Sequence, residues 1–161
     1  MGISMSKYQQ LINNQKRASL LYAIGIDTGT HTGVAVWDCK QQEFVLIKTM
    51  PLHEALFLVQ EYVTKAKHNN ELHRLLVRVE DARQRKWFGQ RSYAKLQGAG
   101  SVKRDSTIWD EYLKSTGVSY NMVNPAENST KLNADQFKAR TGYRGSTNEH
   151  NRDAAMLVYG A

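Results

Sequence analysis

The sequence predicts an α/β domain built on a mixed five-stranded sheet, three antiparallel strands followed by two parallel ones, flanked by helices. Two patterns lead there. Three short apolar runs rich in β-forming residues follow one another with only residues 28–32 and 39–42 between them, the spacing of consecutive antiparallel hairpins. The apolar period then changes to helical spacing, and two further β-type runs alternate with helical segments. A length of 161 residues, 41% of them hydrophobic, suits one compact domain with a core of its own.

Residues 1–19 are polar, rich in Gln and Asn, and basic at Lys7, Lys16 and Arg17, so they read as an N-terminal arm ahead of a domain over 20–161. The first three strands fall at 20–27, 33–38 and 43–49. Pro51 opens a segment in which Leu52, Ala55, Leu56, Val59, Tyr62, Val63 and Ala66 share one helical face, and the run decays into polar KHNNE. A fourth strand spans 74–80. Helices are expected over 93–102 and 106–114, with Gly98 and Gly100 weakening the first unless something packs closely there. A fifth strand at 118–123, a helix over 133–140, a loop TGYRGST and a last helix over 148–159 complete the order βββαβααβαα. A crossover helix after three antiparallel strands lets the fourth strand pair parallel with the first, which keeps helices on the sheet faces. The C-terminal ends of strands one and four then lie side by side.

Twenty-two Lys and Arg against fifteen Asp and Glu give a formal charge of +7, which suits a polyanionic partner such as nucleic acid, a phosphate-rich surface or an anionic membrane. Cys39 is the one cysteine, so the expected fold has neither an intramolecular disulfide nor a multi-cysteine zinc cluster. No apolar run approaches the roughly 18 residues that cross a bilayer, and the polar start lacks the apolar stretch of a secretory signal. The expectation is a soluble, intracellular protein of the cytoplasm with no membrane partner.

Chemistry concentrates at strand ends. Asp27 closes strand one and Glu80 closes strand four, so the inferred sheet sets two carboxylates from distant sequence next to each other. Adjacent carboxylates repel, and a divalent cation is a common physical reason to tolerate them; the plainer alternative is two exposed acids at turns. His150 and Asp153, three apart, share one face at the start of the last helix, with Ala154, Leu157 and Val158 as its apolar stripe. They suit a ligand pair, or else a helix cap with an ordinary exposed histidine.

These positions together resemble the RuvC family of Holliday-junction resolvases within the RNase H-like nuclease superfamily. GIDTGTHTGVAV is similar to that family's first-strand pattern, VRVEDAR to the strand carrying its catalytic glutamate, and HNRDAAML to its last-helix signature, in which either Asp or His stands first. Order and spacing agree over about residues 22–158. Two features depart from the pattern: Thr28 stands where the family commonly has proline, and the stretch after Glu80 is more basic.

The resemblance implies an RNase H-like fold and a structure-selective endonuclease that resolves four-way DNA junctions. It implies Asp27, Glu80, His150 and Asp153 as ligands of two Mg²⁺ or Mn²⁺ ions. Such ions, roughly 3.5–4 Å apart, activate water on one side of a phosphodiester and stabilise the leaving oxygen on the other. Lys131 is similar to a family lysine near the scissile phosphate, with Lys138 and Arg140 as competitors, and Gly98, Ala99 and Gly100 fall where the family forms contacts across a homodimer. Glu149 and Asp81 are spare acids that helix and strand geometry turn away from the metals.

Between Arg83 and Arg104 stand seven cationic residues and no acid: Arg83, Arg85, Lys86, Arg91, Lys95, Lys103 and Arg104, interleaved with Trp87, Phe88 and Tyr93. Basic groups neutralise phosphates and an aromatic can wedge at a strand-exchange point, so Arg83, Arg85, Lys86, Trp87, Phe88, Arg91, Lys103 and Arg104 are the candidate DNA contacts. A solvated helix face with Trp87 and Phe88 in the core is the alternative. Three rival functions share these features: another RNase H-like nuclease acting on RNA–DNA hybrids or other recombination intermediates, a DNA-binding relative without cleavage, and a sugar-kinase-type phosphate loop at Asp27-Thr28-Gly29-Thr30, for which the chain is short.

Overall fold

The computed structural model describes residues 20–85, 93–128 and 131–161, with side chains in the second stretch from Gly98 onward. The expected arm over 1–19 and the candidate contacts Lys86, Trp87, Phe88 and Arg91 lie outside the described residues, as does the side chain of Lys95. Strands β1 (Tyr22–Asp27), β2 (His31–Asp38) and β3 (Glu43–Pro51) lead into helix α1 (Leu52–His68). Strand β4 (Leu75–Glu80), helix α2 (Tyr93–Thr116), strand β5 (Ser119–Val123) and helices α3 (Ala134–Thr141) and α4 (Glu149–Met156) follow.

The sheet order is β3-β2-β1-β4-β5, antiparallel through the first two pairings and parallel through the last two, which is the mixed five-stranded sheet that the sequence predicts. β1 is central and covered on both faces, which is why it reads as an almost unbroken apolar run rather than an alternating one. Alternation decides what each face packs against. Ile24, Ile26, Val34, Val36, Val77 and Val79 meet Ala55, Val59 and Val63 of α1 and Trp109 and Leu113 of α2. On the other face Ala23, Ala35, Trp37 and Val123 meet Phe137 of α3 and Ala154, Ala155, Leu157 and Val158. Each fully buried valine or isoleucine is worth roughly 1.5–3 kcal/mol relative to exposure, so both layers hold the sheet firmly.

Beneath α4 that second face carries small residues, Ala23, Gly25, Gly33 and Ala35, and the consequence is proximity. A β-carbon at Gly25 would collide with the carbonyl of Ala154, and one at Gly33 with the carbonyl of His150. Only glycine admits α4 this close to β1 and β2. Overpacking against backbone costs about 1–3 kcal/mol or displaces the helix.

The structure corrects the sequence reading in three places. Residues 93–102 and 106–114 belong to one continuous helix that runs through the interval between them: Asp105 and Ser106 are buried, and the Ser106 hydroxyl donates to the Val102 carbonyl (3.2 Å) while accepting from the Ala82 amide (3.2 Å). Gly98 and Gly100 have nothing within 4 Å of where a β-carbon would stand, so close packing within the described residues does not explain them. The last helix ends at Met156 rather than 159, with Leu157 and Val158 buried in the turn beyond it. Among the described residues no helix is long and apolar enough to cross a membrane.

Candidate functional site

Parallel pairing puts Asp27 directly opposite Glu80, the last residues of β1 and β4, on the sheet face that α4 covers. Both are buried, at 8% and 7% exposure. Thr28 locks the two strand ends together: its hydroxyl lies 3.3 Å from the Glu80 carbonyl and 3.3 Å from the Ser106 hydroxyl. The position where the resembled family has proline thus carries a buried hydrogen-bonding group that ties β1, β4 and α2.

Helix α4 starts at a fixed point. Asn148 accepts from the Asn151 amide (3.0 Å) and the Asn151 side chain accepts from the Asn148 amide (2.9 Å), a reciprocal cap that satisfies two otherwise orphaned donors. Thr49 of β3 donates to the Asn148 side chain (3.0 Å), and Arg152 donates to the Leu132 carbonyl (2.9 Å) and Thr147 (3.1 Å). At its far end Arg78 of β4 donates to the Leu157 carbonyl (2.6 Å). The helix is held at both ends and pressed onto Gly25 and Gly33, which directs His150 and Asp153 to the strand ends.

His150 Nδ1 lies 3.1 Å from Asp27 Oδ2. Asn128 Nδ2 donates both to Glu80 Oε2 (3.1 Å) and to the Asp153 carbonyl (3.2 Å), linking β4 to α4. Arg85 pairs with Glu80 Oε1 at 3.0 Å. Burial, followed by the charge of Glu80, pushes the Asp27 carboxyl up to about 7; the hydrogen bond from His150 opposes this and the charge of Asp153 adds to it. Asp153 is also raised, first by burial and then by Glu80, with Lys131 acting in the opposite sense. Three carboxylates and an imidazole therefore interact at one end of the sheet.

The donor set fits a hard divalent cation: carboxylate oxygens with one imidazole nitrogen, repelling one another until positive charge arrives. Among the described residues no three of these side chains already surround a single point. The reason is visible in their partners. Asp27 is turned to His150, and the two oxygens of Glu80 are taken by Arg85 and Asn128.

The remaining candidates divide by environment. Lys131 is exposed, pairs with Glu149 at 3.5 Å, and is the cation whose charge reaches Asp153. Arg83 is a strut: it binds Asp81 (2.8 and 3.0 Å) and Asp110 (2.9 Å), and Tyr120 donates to the other oxygen of Asp110 (2.7 Å). Against the opposing effect of burial, Arg83 and Gln84 hold Asp81 below its ordinary value, and Tyr120 and Arg83 do the same for Asp110, tying the end of β4 to α2 and β5. Arg104 is exposed beside Asp105 (3.8 Å), and Lys103 is half-buried on the same helix. Asp81 and Glu149 are engaged by Arg83 and Lys131.

The architecture is similar to that of a RuvC. The structure of T. thermophilus RuvC in complex with Holliday junction substrate matches with a TM-score of 0.50, covering 87% of this chain and 91% of that chain at 18% sequence identity. At that identity the likeness is one of fold, an RNase H-like mixed sheet with helices on both faces. No family model matches the sequence, and no curated protein matches it.

Asn128, Ser106, Gly25 and the packing role of Gly33 were absent from the site expected from sequence. The glycines left a signal that could have been used, since Gly inside a strand pattern marks close backbone approach. Asn128 left none: it lies in a turn, 48 residues from Glu80 in the chain.

Proposed function

We propose that this chain is a Mg²⁺- or Mn²⁺-dependent DNA endonuclease acting on four-way junctions. The observation that carries the reading is the buried Asp27–Glu80 pair at adjoining strand ends, faced by His150 and Asp153 from a helix that glycines bring against the sheet. Buried like charges cost stability, and here the cost falls where a cation and a phosphate could meet.

Asp27, Glu80, His150 and Asp153 would hold two divalent ions, whose chemistry is activation of water and stabilisation of the leaving 3′ oxygen. Asn128 orients Glu80 against α4. Lys131 would direct its ammonium to the phosphate beside Asp153. The basic stretch after Glu80, including Arg85, Lys103 and Arg104, would carry the duplex arms, and Arg83 would set the direction in which that stretch leaves the sheet. A homodimer would present two such sites to a two-fold junction, giving paired incisions.

The test is cleavage in Mg²⁺ or Mn²⁺ of a synthetic four-way junction, a linear duplex of the same arm sequence and an RNA–DNA hybrid. Symmetric nicks in the junction, at least about tenfold faster than in the other two, are expected. Preference for the hybrid would place the chain among other RNase H-like nucleases. Tight junction binding without cleavage in either metal would make it a binding protein.

A further inference from the structure

We propose that Arg85 is a placeholder for metal: its guanidinium neutralises Glu80 in the metal-free protein and moves to a DNA phosphate when a divalent ion takes the carboxylate, so that metal and DNA bind cooperatively. This inference rests on the metal-dependent reading above. Arg85 Nη2 stands 3.0 Å from Glu80 Oε1, while Asn128 fills Oε2. The carboxylate is nearly buried, with 9% of its side chain exposed, whereas the Arg85 side chain is 39% exposed and reaches inward from solvent. Arg85 ends the short turn Ala82–Gln84, whose start is pinned by Asp81 and Ser106. The backbone leading to Arg85 is thus fixed by contacts separate from the Glu80 ion pair.

A dication drawn to Oε1 competes with the Arg85 guanidinium that already occupies that oxygen. The two positive charges repel each other, so metal entry displaces Arg85 toward the solvent side. That is the side from which a DNA strand must approach the carboxylates, and a phosphate is a natural acceptor for a released guanidinium. By linkage, a phosphate that draws Arg85 away raises metal affinity by the factor by which metal raises DNA affinity.

The experiment uses the full chain. Mn²⁺ binding is measured by calorimetry without DNA for wild type, Arg85→Gln and Arg85→Lys. Junction binding is measured against salt, without a divalent ion and with Ca²⁺, with the DNA checked to be intact. Arg85→Gln is expected to bind Mn²⁺ about three- to tenfold more tightly than wild type, the worth of one partly exposed ion pair to a buried acid, with Arg85→Lys between them. Without divalent ions the slope of log K against log salt should be the same for wild type and Arg85→Gln; with Ca²⁺ the wild-type slope should be steeper by about one. Equal Mn²⁺ affinities, or a slope difference that does not depend on Ca²⁺, would overturn the placeholder role and leave the metal site standing. Failure of wild type and both variants to bind Mn²⁺ would overturn both.

Discussion

Asp27→Asn is expected to abolish cleavage, by about a thousandfold or more, and at the same time to raise the melting temperature of the metal-free protein. The first effect follows from removing a charge that would hold metal at the centre of the proposed site. The second follows from the position of the carboxyl, buried beside Glu80 and pushed up to about 7 from an unfolded value near 3.8. Between those two values the native state keeps a proton that the unfolded chain has lost. Stability of the metal-free wild type therefore falls as pH rises from about 4 to 7, and the cost is fully present above that. Asn carries no charge, so that part of the pH dependence disappears. At pH 8 the variant should gain about 1–3 kcal/mol, or roughly 3–10 °C in a chain of this length. Added Mg²⁺ should stabilise wild type and leave the variant nearly unchanged. Near-normal cleavage would remove Asp27 from the site. A lower melting temperature than wild type at pH 8 would show that this carboxylate is not strained.

His150 carries the second large effect. His150→Ala removes both a proposed metal ligand and the partner that stands 3.1 Å from Asp27, and cleavage should fall by about a hundredfold or more even at saturating Mg²⁺. His150→Asp supplies an oxygen ligand of suitable hardness on the same turn of α4, so it should retain substantial activity once metal saturates the site. Without metal it adds a fourth acid to Asp27, Glu80 and Asp153, and it should melt below wild type and gain more from Mg²⁺. The readout is cleavage rate against Mg²⁺ concentration together with melting curves. His150→Ala cleaving normally at saturating Mg²⁺ would rule out a ligand role, leaving Asp153 to act with another partner.

Much of this geometry is legible in the sequence because it depends on strand order. Three β-runs with short separators, followed by a crossover helix, leave one place for β4, and that placement brings Asp27 and Glu80 into register. Spacing of three puts His150 and Asp153 on one face of α4. What the sequence hides depends on tertiary partners. Residues 103–105 separate two expected helices, whereas α2 runs through them with Asp105 and Ser106 buried and Ser106 bonded to Ala82 and close to Thr28. Arg83 belongs by composition to the basic stretch, yet Asp110, 27 residues later, makes it a structural strut. Arg85, two residues further, turns instead to Glu80, a distinction that charge counting cannot make.

Whether Asp27, Glu80, His150 and Asp153 form one metal centre is decided by anomalous scattering from crystals of the wild-type protein saturated with Mn²⁺. A Mn²⁺ peak is expected at the C-terminal ends of β1 and β4, within about 2.0–2.3 Å of an Asp27 oxygen and bonded to at least one of Glu80, His150 and Asp153. In a complex with intact junction DNA a second peak is expected roughly 3.5–4 Å from the first. Saturating Mn²⁺ with no peak at this end of the sheet, or a peak held only by other residues, would contradict a shared metal centre.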